Sequence, residues 1–407
     1  MLDTWPELPI YIHDLGELRE EARDDVAAAL KLNHRVSGIR LEKASFSAWE
    51  TLGSLMRRPF PALTHLWVRQ PFHSMNDLIS RSFLGGSTPS LRVLLFNGVS
   101  FPALPDLLLS APNLVYLFLH NIPPSGYISP QAMVTVLSAL TRLKSLSLTF
   151  SSSQPLPDGA IRTPPSHTRP FLRSLTFLRF QGDPEYMEDL VAQMDAPLLG
   201  SMEITLFHRE VLEVSELAKF VRRADRLSLV HRAEVTFGSF CISVTLSRNL
   251  RKVGPKTLML KLACPESDLQ LSYLAHFCAS CLPTLCPFES LHILVPPRPS
   301  KPLRILVSLE HAWIDVMDHP DPQWLELLRL FNNVKNLRLC KIIAPRIARA
   351  LTWLPEEQSM GVLPALENVF ISRLESFGYV GEAISEFADA RQPFGCPVSI
   401  HNWEGTT

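Results

Sequence analysis

"LRVLLFNGVS" (Leu91 to Ser100) and "LVYLFLHNI" (Leu114 to Ile122) are two versions of one phrase, 23 residues apart. Each sets apolar residues at its first, fourth and sixth positions. The pattern L-x-x-L-x-L, with apolar substitutes, also appears as "LTHLWV" from Leu63, "LKSLSL" from Leu143, "LRSLTF" from Leu172 and "LGSMEI" from Leu199. From Leu63 to Leu199 the starts advance by 28, 23, 29, 29 and 27 residues. Further copies are "ADRLSL" from Ala224, "FESLHI" from Phe288, "VKNLRL" from Val334 and "LENVFI" from Leu366. A period of this size marks stacked supersecondary units, and this one is leucine-rich-repeat-like.

The spacing carries the physics. Alternation at the fourth and sixth positions puts two side chains on one face of a short strand, and the first leucine enters the same core from the preceding turn. One unit cannot bury that face alone, so neighbours stack and their strands join a parallel sheet. Helical periodicity fills the gaps: "QAMVTVLSAL" (Gln131 to Leu140), "EVLEVSELAKFVRRA" (Glu210 to Ala224), "PQWLELLRLF" (Pro322 to Phe331) and "APRIARALTWL" (Ala344 to Leu354). The expected fold is an irregular leucine-rich-repeat-like α/β solenoid, a horseshoe with its parallel sheet on the concave face and helices and loops on the convex face.

The ends read as caps. "LPIYIHDL" (Leu8 to Leu15) opens with a strand and "ELREEARDDVAAALKL" (Glu17 to Leu32) follows as a helix, acidic toward its start where the dipole favours it. The expected organisation is an N-terminal strand–helix cap over 1–35, the solenoid over 36–379 and a C-terminal cap over 380–407. The ninth position of a regular repeat is Asn or Cys, whereas here it is Val99, Ile122, Ser151 and Ile342. Without that polar ladder the turns are expected to be irregular. The Pro-rich stretches 151–170 and 296–302 are expected to be surface loops.

Composition bounds the function. Of 407 residues, 46% are hydrophobic and 19% charged, which suits a folded chain with a large core. Lys and Arg number 39 against 40 Asp and Glu, so no global field attracts nucleic acid or acidic lipid. The run of about 18 apolar residues that a membrane helix needs is missing, and no secretory signal pattern opens the chain. Seven irregularly spaced cysteines suit thiols in a reducing compartment, so the expected location is cytoplasm or nucleus. A monomer is expected.

Several segments resemble the repeat region of basidiomycete fungal F-box proteins. They are "YMEDLVAQMDAPLLGSMEITLFH" (Tyr186 to His208), "QWLELLRLFNNVKNLRLC" (Gln323 to Cys340), "LPALENVFI" (Leu363 to Ile371) and "VGEAISEFADARQPFGCPVSIHNWE" (Val380 to Glu404). The resemblance implies the substrate-receptor subunit of an SCF-type ubiquitin ligase, in which an F-box docks on the adaptor and the repeats hold the target. An F-box opens with an L-P-x-E-[IL]-like phrase. "ELPIYIHDL" (Glu7 to Leu15) has the Leu-Pro but not the following acidic residue, so adaptor binding is expected only if an F-box lies upstream.

"HFCASCLPTLC" offers His276, Cys278, Cys281 and Cys286 as zinc ligands, with Cys264 upstream. The same residues fit an amphipathic helix with half-buried thiols, and no cofactor is expected. Glu310, His311, Asp315, Asp318, His319 and Asp321 crowd one stretch without the spacing of a known metal loop. Arg222, Arg223, Arg226, His231 and Arg232 read as an exposed helix face and its turn rather than a nucleic-acid site. No nucleophile elbow or P-loop occurs, and the Gly pair of "LGGSTPS" (Leu84 to Ser90) reads as a turn. The expected function is non-enzymatic protein–protein interaction. The alternatives are a scaffold without a ubiquitin link, or a zinc-dependent enzyme or zinc module using the 264–321 region.

Third and fifth positions of each phrase project to the concave face. They give His65 and Trp67, Val93 and Leu95, then Tyr116 and Phe118, an apolar and aromatic strip. Next come Ser145 and Ser147, Ser174 and Thr176, Ser201 and Glu203, and finally Asn368 and Phe370. Exposed aromatics in a row suit a binding hot spot. His65, Trp67, Leu95, Tyr116 and Phe118 are therefore the candidate partner-binding residues. The competing reading is that loops cover this strip and make it core.

Overall fold

The computed structural model describes residues 8–14, 20–42, 52–69, 79–152, 169–207, 214–227, 231–238, 241–247, 258–263, 267–281, 288–295, 322–352, 354, 361–372 and 378–403. The chain forms two compact units, 1–200 with 223–226, and 201–222 with 227–407. The Pro-rich stretch 153–168, the 296–302 stretch and the 310–321 cluster lie outside the described residues.

In the N-terminal unit, strands β1 (Ile10–Asp14), β2 (Val36–Glu42), β3 (His65–Arg69), β4 (Val93–Asn97), β5 (Tyr116–Ile122), β6 (Ser145–Phe150) and β7 (Phe177–Gly182) lie side by side in chain order. Every neighbouring pair is parallel. Helices α1 (Glu20–Lys31), α2 (Leu104–Leu109), α3 (Pro130–Ala139) and α4 (Pro184–Ala192) connect them. α3 starts where the sequence provides a start: Ser129 caps it by accepting from the Ala132 N–H at 3.2 Å, and Pro130 occupies the first turn.

The register aligns the repeats. Ile39, Leu66, Leu94, Leu117, Leu146 and Leu178 fall opposite one another at the fourth position, and all are fully buried. Leu41, Val68, Phe96, Leu119, Leu148 and Phe180 form a second buried row at the sixth. Each repeat also hangs on its predecessor's second-position carbonyl. The Arg92 N–H donates to Thr64 O, Val115 to Arg92 O, Lys144 to Val115 O and Thr176 to Lys144 O, at 2.8–2.9 Å.

Three sequence expectations need correction. First, "LRSLTF" from Leu172 is out of frame. The strand is Phe177–Gly182, so the phrase is "LTFLRF" from Leu175. Leu172, Leu175 and Leu178 recur every third residue and fit either frame, but only the later one sets Leu178 opposite Leu146. Ser174 and Thr176 instead lie before the strand, their hydroxyls donating to Thr141 O and Lys144 O. Second, a polar ladder exists, but it precedes the ninth position. Asn121 Nδ2 donates to Asn97 Oδ1 at 2.9 Å and its N–H to Thr149 Oγ1 at 3.0 Å, with Asn121 in the left-handed region (φ 49°). Val99 and Ile122 are freed for the core, where both are buried.

The third correction lies in the C-terminal unit. Its strand order is β8 (Ser201–Leu206), β11 (Leu258–Ala263), β10 (Cys241–Ser247), β9 (Arg232–Gly238), β12 (Ser290–Leu294), β13 (Asn336–Leu339), β14 (Asn368–Ser372), β15 (Ser399–Trp403). β10 runs antiparallel to both neighbours, whereas the remaining pairs are parallel. A three-stranded meander thus replaces single strands, and the 225–227 portion of "ADRLSL" is a 3-10 turn. Strict alternation in "RAEVTFG" and "CISVTLS", two residues apart, is the hairpin signal that a search for L-x-x-L-x-L passes over. Helices α5 (Ser215–Arg223), α6 (Ser267–Cys281), α7 (Pro322–Arg329), α8 (Ala344–Thr352) and α9 (Gly378–Asp389) complete the repeats. Each unit is an irregular leucine-rich-repeat-like α/β solenoid.

Arg391, after α9, is fully buried, and its guanidinium donates to the carbonyls of Val362, Leu363 and Pro364 at 2.9–3.0 Å. The carbonyls belong to the turn entering β14, where Leu363 has φ 49°. Arg391→Met leaves them unpaired, and urea unfolding should show a loss of about 3 kcal/mol. Leu117→Ala, in the fourth-position row, should cost about 2–5 kcal/mol. Phe118→Ala, one residue on but on the opposite face, should cost about 1 kcal/mol or less in the same measurement.

Candidate functional site

The side chains that do not enter the core line up across the other face of each sheet. In the N-terminal unit one row, set by the register, is Tyr11, Gly38, His65, Val93, Tyr116, Ser145 and Phe177. The next is His13, Arg40, Trp67, Leu95, Phe118, Ser147 and Arg179. All five candidate residues therefore share one face. His65 and Tyr116 are exposed, Tyr116 at 41%, while Trp67, Leu95 and Phe118 are half-buried.

Contacts along these rows organise the strip. Tyr116 and Phe118 stack with centroids 6.2 Å apart, and the Phe118 ring lies 6.0 Å from His120. Arg40 lies 3.9 Å over the Trp67 ring and is bonded to Glu42 at 2.7 Å. The indole Nε1 of Trp67 is buried without a hydrogen-bond partner. On the other flank His120 Nε2 lies 2.9 Å from Ser147 Oγ, and burial, then the nearby Arg179 charge, lowers the imidazole pKa. Of the expected small polar surface of the middle strands, Ser145 and Ser147 are buried, whereas Ser201 and Glu203 are half-buried. Arg40, His120 and Arg179 were missed. Arg40 stands before the first copy of the phrase at Leu63, and Arg179 falls past the frame set at Leu172.

The open face of the C-terminal unit differs in chemistry. Thr245, Glu234, His292, Arg338, Phe370 and His401 follow one another across its strands. Arg232 pairs with Glu234. Arg338 lies 5.0 Å from the Phe370 centroid and 5.5 Å from that of Trp403. Phe370 stacks on His401 at 4.9 Å, whose Nε2 donates to Asn368 Oδ1 at 3.2 Å; Asn368 Nδ2 in turn donates to Asn336 Oδ1 at 3.0 Å. His292 is only 4% exposed, 3.1 Å from Ser290 Oγ and edge-on to Trp403 at 6.2 Å. Burial, then the Arg232 and Arg338 charges, pushes its pKa down to about 3. Of this set the sequence reading placed only Asn368 and Phe370 on the open face. The third and fifth positions of "FESLHI" and "VKNLRL" give the rest of the β12–β13 face, while β9 carries no phrase to read.

Of the proposed zinc ligands, the side chains of His276 and Cys278 are described. On α6 His276 is exposed while Cys278 is completely buried. The Cys281 side chain, Cys264 and Cys286 lie outside the described residues. Among the described residues no group of three or more His, Cys, Asp or Glu could hold a metal ion, and no helix is long and apolar enough to cross a membrane. Cys241, Cys340 and Cys396 are thiols. Arg223 is paired with Asp195 at 2.6 Å and Arg232 with Glu234, which removes both from the basic run as ready phosphate contacts.

No family model and no curated protein matches the chain. Among solved structures similar to it is the leucine-rich repeat-containing protein LegL7 from Legionella pneumophila. That match has 15% identity and a TM-score of 0.29, and covers 83% of this chain and 94% of the other. The similarity is loose, and the repeat fold rests on the strand register.

Neutral His292 has a consequence for stability. Above about pH 6.5 folded and unfolded chains both carry the uncharged ring. Below it the unfolded chain takes up a proton that the folded site refuses until about pH 3. Stability should fall with pH across that window by up to about 1.4 kcal/mol per unit. Thermal melts from about pH 7 to about pH 5 should show a shallower decline for His292→Asn than for the native protein.

Proposed function

We propose that the chain is a protein-interaction module whose N-terminal open face docks a partner protein. Trp67, Tyr116 and Phe118 are its anchors, and His65 and Leu95 lie beside them. One observation carries the reading: a contiguous aromatic and apolar strip, half-exposed, on strands whose opposite faces are locked in the core. Such a strip gains apolar burial on binding while its backbone loses little freedom, because the sheet has already fixed it. Large aromatics with restricted rotamers are the side chains from which binding energy is most often drawn.

The finer reading follows the resemblance to fungal F-box proteins: the docked partner is a target for ubiquitination. Adaptor binding then requires an F-box, and the phrase nearest to one, "ELPIYIHDL", contributes Ile10–Asp14 to strand β1. The repeats are accordingly assigned to target recognition and not to the adaptor.

Affinity capture from basidiomycete extract should recover a discrete partner with the native chain. Single Trp67→Ala, Tyr116→Ala and Phe118→Ala variants should each weaken capture at least tenfold, with unchanged circular dichroism. Equal capture by the native chain and all three variants removes the strip from the interface. Recovery of the adaptor and cullin supports the ubiquitin-ligase assignment, and a partner recovered without them favours a scaffold.

A further inference from the structure

The C-terminal unit holds a cation that meets no counter-charge among the described residues. Arg338 projects from β13 onto the open face, between the rings of Phe370 and Trp403. In its row the next charged residue is Glu234, two strands away beyond His292 and already paired with Arg232. His292, between β9 and β13, cannot supply a charge of either sign near neutral pH. No carboxylate or hydrogen-bond acceptor meets the Arg338 guanidinium among the described residues, and its Nε is buried and unpaired. The residue as a whole is only half-buried, which leaves the rest of the guanidinium for a ligand to reach.

An arginine in this state is half-desolvated yet unneutralised. Burial, then the Arg232 charge, pushes its pKa below the ordinary guanidinium value. Ring faces hold the guanidinium plane without using its N–H donors, which leaves those donors in a fork that fits a planar oxyanion. An anion here would supply the missing charge and accept the free N–H groups.

We propose that Arg338, walled by Phe370 and Trp403, is a docking site for the carboxylate of an acidic segment in a partner protein. Charge selects carboxylate over phosphate. Among the described residues around the site, Arg232 and Arg338 face one carboxylate, Glu234, which leaves one uncompensated positive charge there, matched by one carboxylate. A phosphomonoester brings between one and two negative charges next to Glu234, which repels the excess. The site is separate from the Trp67 strip and does not depend on that strip's role.

The probe is a fluorescein-labelled hexaglutamate peptide, blocked at both ends, followed by anisotropy at low salt with the full chain. Native protein should bind it. Binding should weaken at least tenfold in Arg338→Gln and be only partly kept in Arg338→Lys, which retains the charge but not the fork. Trp67→Ala should bind like the native chain, and a hexaglutamine peptide should not bind. Circular dichroism and melting temperature establish that each variant is folded. Absent hexaglutamate binding, or equal binding by native protein and Arg338→Gln, overturns the proposal. So does stronger binding of a peptide with one phosphoserine among glutamines, which would make the site a phosphate receptor.

Discussion

Every strand in this protein depends on the one beside it to take its leucines out of water. Leu66, Leu94, Leu117, Leu146 and Leu178 are fully buried because each meets the same position of its neighbours, and none could be hidden by its own repeat. The backbone reinforces the match, with each new strand donating to a carbonyl one repeat earlier. A shift of one residue would turn the whole apolar set outward. The register is therefore the constraint from which the rest follows, including what it leaves unconstrained. Third and fifth positions face away from the core, so packing makes no demand on them and recognition can.

The two units use that freedom differently. On the N-terminal face the central residues are apolar or aromatic, and charges sit at the edges, with Arg40 held by Glu42 and laid over Trp67. On the C-terminal face charge sits in the middle, and aromatic rings surround it. His292 is buried there with Arg232, Arg338 and Trp403 around it. A ring in that setting stays neutral, since protonation would add a third cation to a pair only partly offset by Glu234. Long side chains laid across a sheet can thus create a local interior on a face that the fold itself leaves open.

The repeat phrase was legible wherever its leucines stood in one frame. From Leu63 to Leu143, and again at Leu199, Phe288, Val334 and Leu366, the predicted strands are the observed ones. It failed at Leu172, where leucines three apart fit two frames and only the neighbour's register chooses. Beyond Ala224 an antiparallel meander carries the sheet forward with alternating Val, Ile and Phe, which the phrase does not describe. The ninth-position argument failed for a related reason: the turns need polar groups, but not at a fixed position, and Asn97, Asn121 and Thr149 provide them earlier.

The amino-acid sequence by itself determined the period, the buried face and the strip from His65 to Phe118. Those follow from which residues are apolar and how far apart they stand, and such spacing translates directly into strands and faces. Tertiary structure decided which strand neighbours which, and so brought Arg232, His292, Arg338 and Trp403 together from four segments, each dozens of residues from the next along the chain. Charge, burial and ring contact at that site arise between strands, and no local pattern within one strand encodes them.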